Sequence, residues 1–298
     1  LSHASLNSTN MFVSPLLTWF DRNERPLAWR HPDTGAWGIL LSEVMSQQTP
    51  VARVEPVWRE WMARWPDPAS FARASPDEVL RAWGKLGYPR RALRLLDCAG
   101  QIVSRHDGRV PDDVEQLLAL PGIGDYTARA VACFAYGKNV PVVDTNVRRV
   151  HRRAVEGRFL AGAASKSELA AGAELLPGDG RGPRFSAALM ELGALVCTAA
   201  SPACGECPLR AGCAWVAAGS PRPSPEELAK KKVQKFVGTD RQVRGLIMDV
   251  LRANDAAVPQ SAIDVVWPDG AQRSRALHSL LEDGLAEQDG RGYFHLPR

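Results

Sequence analysis

The sequence predicts a mainly α-helical protein that finishes in a small α+β unit, and three observations carry that reading. Apolar residues recur with a helical period up to about residue 215, with few convincing alternating runs. Short breaks carrying Pro or Gly punctuate the helices: Trp65-Pro66-Asp67-Pro68, Gly84 to Gly87, Asp107-Gly108, Pro121 to Gly124 and Gly178 to Pro183. Beyond a Pro- and Lys-rich stretch the order changes to three short helical patterns followed by two strand-like runs around a turn.

Composition narrows the class further. Of 298 residues, 45% are apolar and 23% charged, which is ordinary globular material. No run approaches the roughly 18–20 apolar residues of a membrane span, so no membrane partner is expected. The polar segment Leu1–Asn10 lacks the charged-then-apolar order of a secretion signal. The expected location is therefore the cytoplasm, at the nucleoid if the source is bacterial, and there six cysteines argue against a disulfide framework. A net charge of +4 suits a polyanionic partner without establishing one.

Taken in order, the helix starts are legible. Ser75-Pro76-Asp77-Glu78 offers an N-cap, Pro in the first turn and two acids beside it. Helices are expected over Asp112–Ala119 and Asp125–Ala135, on either side of Leu120-Pro121-Gly122-Ile123-Gly124. Residues Val216 to Lys235, with Ser220-Pro221-Arg222-Pro223-Ser224-Pro225 and then Lys230, Lys231, Lys232 and Lys235, read as a linker. After it come an amphipathic helix over Asp240–Arg252, a short helix over Gln260–Val266 and a third over Ala271–Glu282. Strands over Leu285–Gln288 and Tyr293–Leu296 flank the turn Asp289-Gly290-Arg291-Gly292. Three helices and a hairpin are the order of a winged helix, whose third helix and wing commonly face DNA; Arg273, Arg275 and Arg291 fall there.

Four features carry chemistry. Cys197, Cys204, Cys207 and Cys213 form C-x6-C-x2-C-x5-C, a density of soft thiolates that suits either a structural zinc or an iron–sulfur cluster. Cys98 and Cys133 lie in apolar helical surroundings and read as core. The glycines of Pro121-Gly122-Ile123-Gly124 let a backbone approach a phosphate at a helix N-terminus, although a plain interhelical turn has the same composition. Glu43 is a lone carboxylate in the apolar run Trp37 to Met45, where partial burial would raise its pKa and keep a proton available; a solvated helix face is the bland alternative. Asp144, before Thr145-Asn146-Val147-Arg148-Arg149-Val150, reads as an N-cap whose helix favours the ionised form.

Together these segments resemble the endonuclease III superfamily and, within it, the MutY-type adenine glycosylases. Ser42–Thr49 is similar to that family's Ser-Glu-x-Met-x-Gln-Gln-Thr signature, the Asp144 segment to its aspartate motif, and the cysteine spacing to its cluster loop. The resemblance covers about residues 14–215. It implies an endonuclease III-like helix-hairpin-helix core with a [4Fe-4S] subdomain held by the four cysteines. In domain terms, residues 31–139 would form the six-helix-type domain, 1–30 and 140–215 the cluster subdomain, 216–237 the linker and 238–298 the winged-helix-like domain.

The resemblance also assigns roles. Glu43 would protonate adenine at N7, Asp144 would stabilise or trap the sugar cation, and Asn146 would orient water. Tyr126 occupies the place where strand-cleaving relatives carry lysine, which implies excision without efficient lyase activity. Trp29 and Arg30, in Leu27-Ala28-Trp29-Arg30, would line the adenine pocket. Gln48 and Thr49, with Leu86 and Tyr88, match segments that enter the duplex near the orphaned partner base, while Gly122 and Gly124 grip the backbone. Arg90, Arg91, Arg94, Arg148, Arg149, Arg152 and Arg153 are candidate phosphate contacts or simply solvated charges.

Departures are Pro89 for a second tyrosine, Ala187 for a polar residue, and no Lys or Arg between Cys197 and Cys204. A short winged helix stands where typical members carry a Nudix-like domain for reading 8-oxoguanine. The expected substrate is double-stranded DNA with adenine opposite 8-oxoguanine or guanine, bound by a monomer. The alternatives are a thymine/uracil mismatch glycosylase, in which Glu43 is generally missing, or a non-catalytic iron–sulfur winged-helix DNA-binding protein.

Overall fold

The computed structural model describes residues 3–165, 167–229 and 236–298, and its described elements are helices apart from one hairpin. They are α1 (His3–Asn23), α2 (Ala36–Met45), α3 (Val51–Arg64), α4 (Pro68–Phe71), α5 (Pro76–Trp83), α6 (Arg90–Arg105), α7 (Val114–Leu118), α8 (Asp125–Tyr136), α9 (Thr145–Ala154), α10 (Ser167–Leu175), α11 (Gly182–Leu195), α12 (Ala214–Ala217) and α13 (Pro225–Ala229). The C-terminal region adds α14 (Asp240–Ala253), α15 (Gln260–Asp264), α16 (Gly270–Glu282), β1 (Glu287–Gln288) and β2 (Phe294–His295). No described helix is long and apolar enough to cross a membrane.

Local chemistry explains the helix starts. Ser75 and Glu78 form a capping box with Pro76 in the first turn of α5, and each such cap is worth on the order of 1 kcal/mol. Asp67, Asp144 and Asp269 accept backbone N–H groups at the starts of α4, α9 and α16. Helix α7 begins two residues later than expected because Asp113 turns its carboxylate to the Gln116 N–H, 3.0 Å away.

The described chain divides into two units. One comprises Leu1–Ile39, Asp112–Leu118 and Gly124–Lys231. Its core joins Phe12, Leu16 and Phe20 of α1 to Val147 and Val150 of α9 and Phe185, Leu189 and Leu192 of α11. A smaller cluster of Ala130, Cys133 and Val142 packs against Tyr126 and Met190.

The other unit comprises Leu40–Pro111, Ala119–Ile123 and Lys232–Arg298. Trp61 sits at the centre of an aromatic group, with ring centroids 5.1 Å from Trp65 and Phe71 and 5.7 Å from Trp83. Cys98 is fully buried nearby in α6, as expected of a core thiol, and burial pushes it up to about 12. In the C-terminal region the three helices and hairpin stand in the expected order, with Glu287 opposite His295 and Gln288 opposite Phe294. The first strand is shorter than expected. The Leu285 and Ala286 N–H groups bond the Leu280 carbonyl at 2.9 and 3.3 Å, so they finish α16 instead of pairing.

The expected linker is partly tied down. Trp215 Nε1 donates to the Pro221 carbonyl at 2.8 Å and Arg222 to the Ala200 carbonyl at 3.0 Å. Lys230, Lys231, Lys232 and Lys235 lie outside the described residues.

Candidate active site

Glu43 sits in the last turns of α2 between buried Ser42 and Val44, and it is itself half-buried. That matches the setting its apolar run implied. Helix α2 ends at Met45, and the chain then turns through Gln48, whose φ of 57° is left-handed. Tyr88, in the loop after α5, has φ 49°. These two loops are cross-tied. The Thr49 hydroxyl donates to the Leu86 carbonyl at 2.9 Å. Arg91 donates to the carbonyls of Val44, Gln47 and Gly87 at 2.6, 2.8 and 3.0 Å. Burial brings the Arg91 guanidinium down to about 10.

Gln47, Gln48, Tyr88, Arg90, Arg91 and Arg94 line one basic cavity of about 250 Å3. Gln48 and Tyr88 are thus brought together, as expected. Thr49 and Leu86 are buried, at 7% and 3% exposure, and their side chains support the loops from beneath. Of the arginines here, Arg91 is a structural tie for backbone carbonyls, not a free charge.

The hairpin between α7 and α8 presents exposed Gly122 and Gly124. Gly122 has φ 76°, and a Cβ there would stand 2.9 Å from Cβ of Arg94, so shape and backbone both demand glycine. Gly124 is extended and precedes the first turn of α8, whose N-terminal amides point outward as anion donors do. Tyr126 follows in that turn, half-buried. The nearest lysine, Lys138, is paired with Asp112 at 2.7 Å.

Asp144 is wired on both oxygens. Oδ1 accepts the Val147 N–H and Oδ2 the Asn146 amide, each at 2.7 Å. The Asn146 carbonyl oxygen in turn accepts from Arg149 at 2.7 Å, which fixes the amide's orientation, since only its nitrogen can donate to a carboxylate. Arg149 also donates to the Gly193 and Cys197 carbonyls, both at 2.6 Å. Burial pushes the Asp144 carboxyl above the usual carboxylate range, against the opposing pull of the Val147 N–H, the Asn146 amide and Arg149. The helix terminus was expected to favour the charged form; desolvation outweighs it.

Arg149 and Arg153 are therefore not the phosphate contacts that the arginine run suggested. They are 7% and 2% exposed. Arg153 donates to the Thr198 and Ala199 carbonyls at 2.7 and 3.1 Å, and points an N–H at the Cys197 sulfur, 3.4 Å away. Its guanidinium lies over Phe159 at 4.1 Å and Trp215 at 5.6 Å. Arg148 and Arg152 are also engaged, with Glu168 and Glu156.

Cys197, Cys204, Cys207 and Cys213 line one small cavity with Arg153 and Trp215. Burial raises the Cys197 thiol and brings Cys207 up to about 11. Among the described residues, no three His, Cys, Asp or Glu groups stand close enough to hold a single metal ion. The loop between the first two cysteines has no basic residue of its own, but Arg222 binds it from outside.

Trp29 and Arg30 are half-buried in a short turn after α1. Arg30 donates to Glu191 at 3.0 Å. Arg25 holds the same carboxylate at 2.7 and 2.9 Å through its side chain and at 2.9 Å through its backbone N–H. Glu191 is completely buried. Burial opposes its charge, but the two guanidiniums win and hold it below the usual range. The signal that marked Glu43, a lone carboxylate in an apolar run, is present at Glu191 too, but its partners show only when the chain is folded.

Comparison with known proteins agrees with this geometry. A family model for the HhH-GPD superfamily of base excision DNA repair proteins matches residues 41–158. The chain is 58% identical to the adenine DNA glycosylase of Mycolicibacterium smegmatis over 289 residues, 96% of this chain and 97% of that one. A thermostable thymine-DNA glycosylase superposes with a TM-score of 0.66 at 27% identity, covering 72% of this chain and 99% of that one. An endonuclease III–DNA complex gives a TM-score of 0.59 at 22% identity over 78% and 100% of the two chains, a likeness of fold. Residues 41–158 thus carry the fold unit of the HhH-GPD base excision DNA repair proteins. Within that class the chain belongs to the adenine DNA glycosylases.

Proposed function

We propose that the chain removes adenine mispaired with 8-oxoguanine or guanine from double-stranded DNA, hydrolysing the N-glycosidic bond and leaving an intact abasic strand. As a member of the adenine DNA glycosylases it is a base-excision enzyme. The carrying observation is Asp144, a carboxylate fixed on both oxygens at the start of α9. Such fixed negative charge stabilises a developing sugar cation without reorganising, and a carboxylate can also trap that cation as an ester.

Adenine leaves poorly as an anion, so a proton must reach its N7 as the bond breaks. Half-buried Glu43 is the proposed donor. Water then takes the sugar carbon after the target base has left the stack. Both amide atoms of Asn146 are occupied by Asp144 and Arg149, which supports a positioning role beyond the expected handling of water. Tyr126 has no amine, so no Schiff base forms there. Gln48 and Tyr88 are proposed to enter the duplex, and Trp29 and Arg30 to line the base pocket.

The four cysteine thiols are proposed to hold a [4Fe-4S] cluster. They fit it in two respects. They line one cavity together, with the soft sulfur donors that iron–sulfur clusters take. Buried Arg149 and Arg153 set positive charge beside Cys197. When bound, the cluster fastens the loop that carries those thiols. Purified protein should be brown with four irons per chain; stoichiometric zinc and no visible absorbance would reject the assignment.

The functional test is a single-turnover assay of a monomeric preparation on A:8-oxoG, A:G, T:G and U:G duplexes. Adenine release with strand breakage only after heat or base is the expected result. Release of thymine or uracil without adenine would overturn the reading. Abundant borohydride-trapped adduct would overturn the monofunctional part.

A further inference from the structure

Tyr88 occupies a backbone conformation that disfavours any side chain, yet two guanidiniums stand over its ring. Its φ of 49° is left-handed, and the residue is 38% exposed. The Arg91 guanidinium, anchored on three backbone carbonyls, lies 5.6 Å from the ring centroid. A second guanidinium comes from the C-terminal region. Arg241, in the first turn of α14, lies 4.7 Å from the same centroid. A cation over a phenol is attracted by the ring's negative face, and the contact restricts the ring.

The C-terminal region is fastened to the segment that carries Tyr88. Arg81 of α5 donates to the carbonyls of Arg252 and, at 2.7 Å, Asn254. Arg252 returns a bond to the Leu80 carbonyl at 3.1 Å. Lys85 pairs with Asp249 at 3.4 Å, and Arg90 with Asp283 at 3.0 Å. These ties flank Tyr88 on both sides in sequence. By contrast, the arginines expected to face DNA are engaged within their own region. Arg273 bonds Asp264 and the Trp267 carbonyl, Arg275 pairs with Asp240, and Arg291 with Asp289.

We propose that the C-terminal region tunes partner-base selection through Arg241, which positions Tyr88 at the mouth of the Gln48–Arg94 cavity. Arg241 is a positioning residue here and has no part in the bond-breaking step. The inference rests on reading Gln48 and Tyr88 as the pair that enters the duplex. A ring restricted by contacts with both Arg91 and Arg241 meets the partner base in one orientation. A free ring adapts equally to 8-oxoguanine and guanine, so loss of the restriction erodes the difference between them.

The test uses full-length cluster-loaded protein with Arg241→Ala, Arg241→Lys, Tyr88→Ala and the Ala/Ala double variant. Affinity is measured for duplexes carrying an uncleavable tetrahydrofuran abasic site opposite 8-oxoguanine or guanine. Single-turnover excision from A:8-oxoG and A:G is measured in parallel, and thermal melting checks the fold. Arg241→Ala is expected to shrink the 8-oxoguanine preference roughly threefold to fivefold, with Arg241→Lys intermediate. In the Tyr88→Ala background the same change is expected to do nothing further, the signature of coupling. An undiminished preference in Arg241→Ala, or an equal loss with and without Tyr88, would overturn the inference. Wild-type protein that releases no adenine would instead break the functional reading, while the affinity cycle still reports on the Arg241–Tyr88 contact.

Discussion

The Asp144 network and the Gln48–Tyr88 loops solve opposite problems. Around Asp144 the polar groups are paired in series. Carboxylate, amide and guanidinium run in sequence to the Gly193 and Cys197 carbonyls, and helices α9 and α11 approach so closely that a Cβ on Gly193 would stand 2.6 Å from Cβ of Asn146. The loops instead hold two side-chain-bearing residues in left-handed conformations at an open cavity. One region keeps a charge in place at the expense of desolvation. The other keeps backbone strain, which persists because Thr49, Arg91 and Trp83 tie the loops from beneath. Chemistry needs a fixed charge; entry into a stack needs side chains held outward.

The comparison breaks first at the carboxylates. Glu43→Gln should cut single-turnover excision about 10²- to 10⁴-fold, with mismatch affinity kept within about tenfold. Asp144→Asn should cut excision by a similar factor and give up one hydrogen bond, since an amide cannot accept on both atoms, while removing a buried charge. The sign of the pH dependence follows from linkage. The folded carboxyl has its pKa raised, with burial the leading cause. Its contribution to stability is therefore complete below the unfolded-state value and lost as pH rises through the folded one. At neutral pH the charge is a burden on the fold, and Asn, also a good N-cap, removes it. Melting temperatures from pH 4 to 8 should show the variant gaining on wild type as pH rises. A variant that loses ground with pH would mean that hydrogen bonding outweighs burial.

Packing gives the next effect. Gly193→Ala should destabilise by about 1–3 kcal/mol and slow excision, since the methyl group displaces Asn146 and with it Asp144. Gly100→Ala in α6, where a Cβ meets nothing within 4 Å, should instead stabilise by about 0.5–1 kcal/mol. Equal behaviour of the two in denaturant melts would remove the close approach as a constraint. The smallest effect is expected at the strained loop. Gln48→Gly should relieve a left-handed side chain, raise stability by about 1 kcal/mol, and weaken the preference for mismatched over matched duplex. Unchanged mismatch preference would detach Gln48 from recognition.

Some residues could be read without coordinates because their signal is local. The capping box at Ser75 and Glu78 and the cap at Asp144 need only neighbours in sequence. Buried Cys98 and the half-buried setting of Glu43 follow from the apolar runs around them. The arginines were less legible. Seven arginines in two runs looked alike, yet Arg91, Arg149 and Arg153 serve backbone carbonyls while Arg90, Arg148 and Arg152 pair with carboxylates. A guanidinium sits about a full helical turn's length from its own backbone, so its partner is set by which helices meet.

By itself the sequence determined the helical class, most of the helix starts, the thiol spacing and the settings of Glu43 and Asp144 in their segments, because these depend on periodicity and residue chemistry over a few positions. Tertiary structure decided what surrounds them. Glu191 is 166 residues from Arg25 in the chain and 2.7 Å from it in space. Asp144 loses more to desolvation than its helix returns, and Arg241 reaches Tyr88 across 153 positions of sequence. Burial and long-range pairing are properties of the packed chain, since both depend on which surfaces exclude water together.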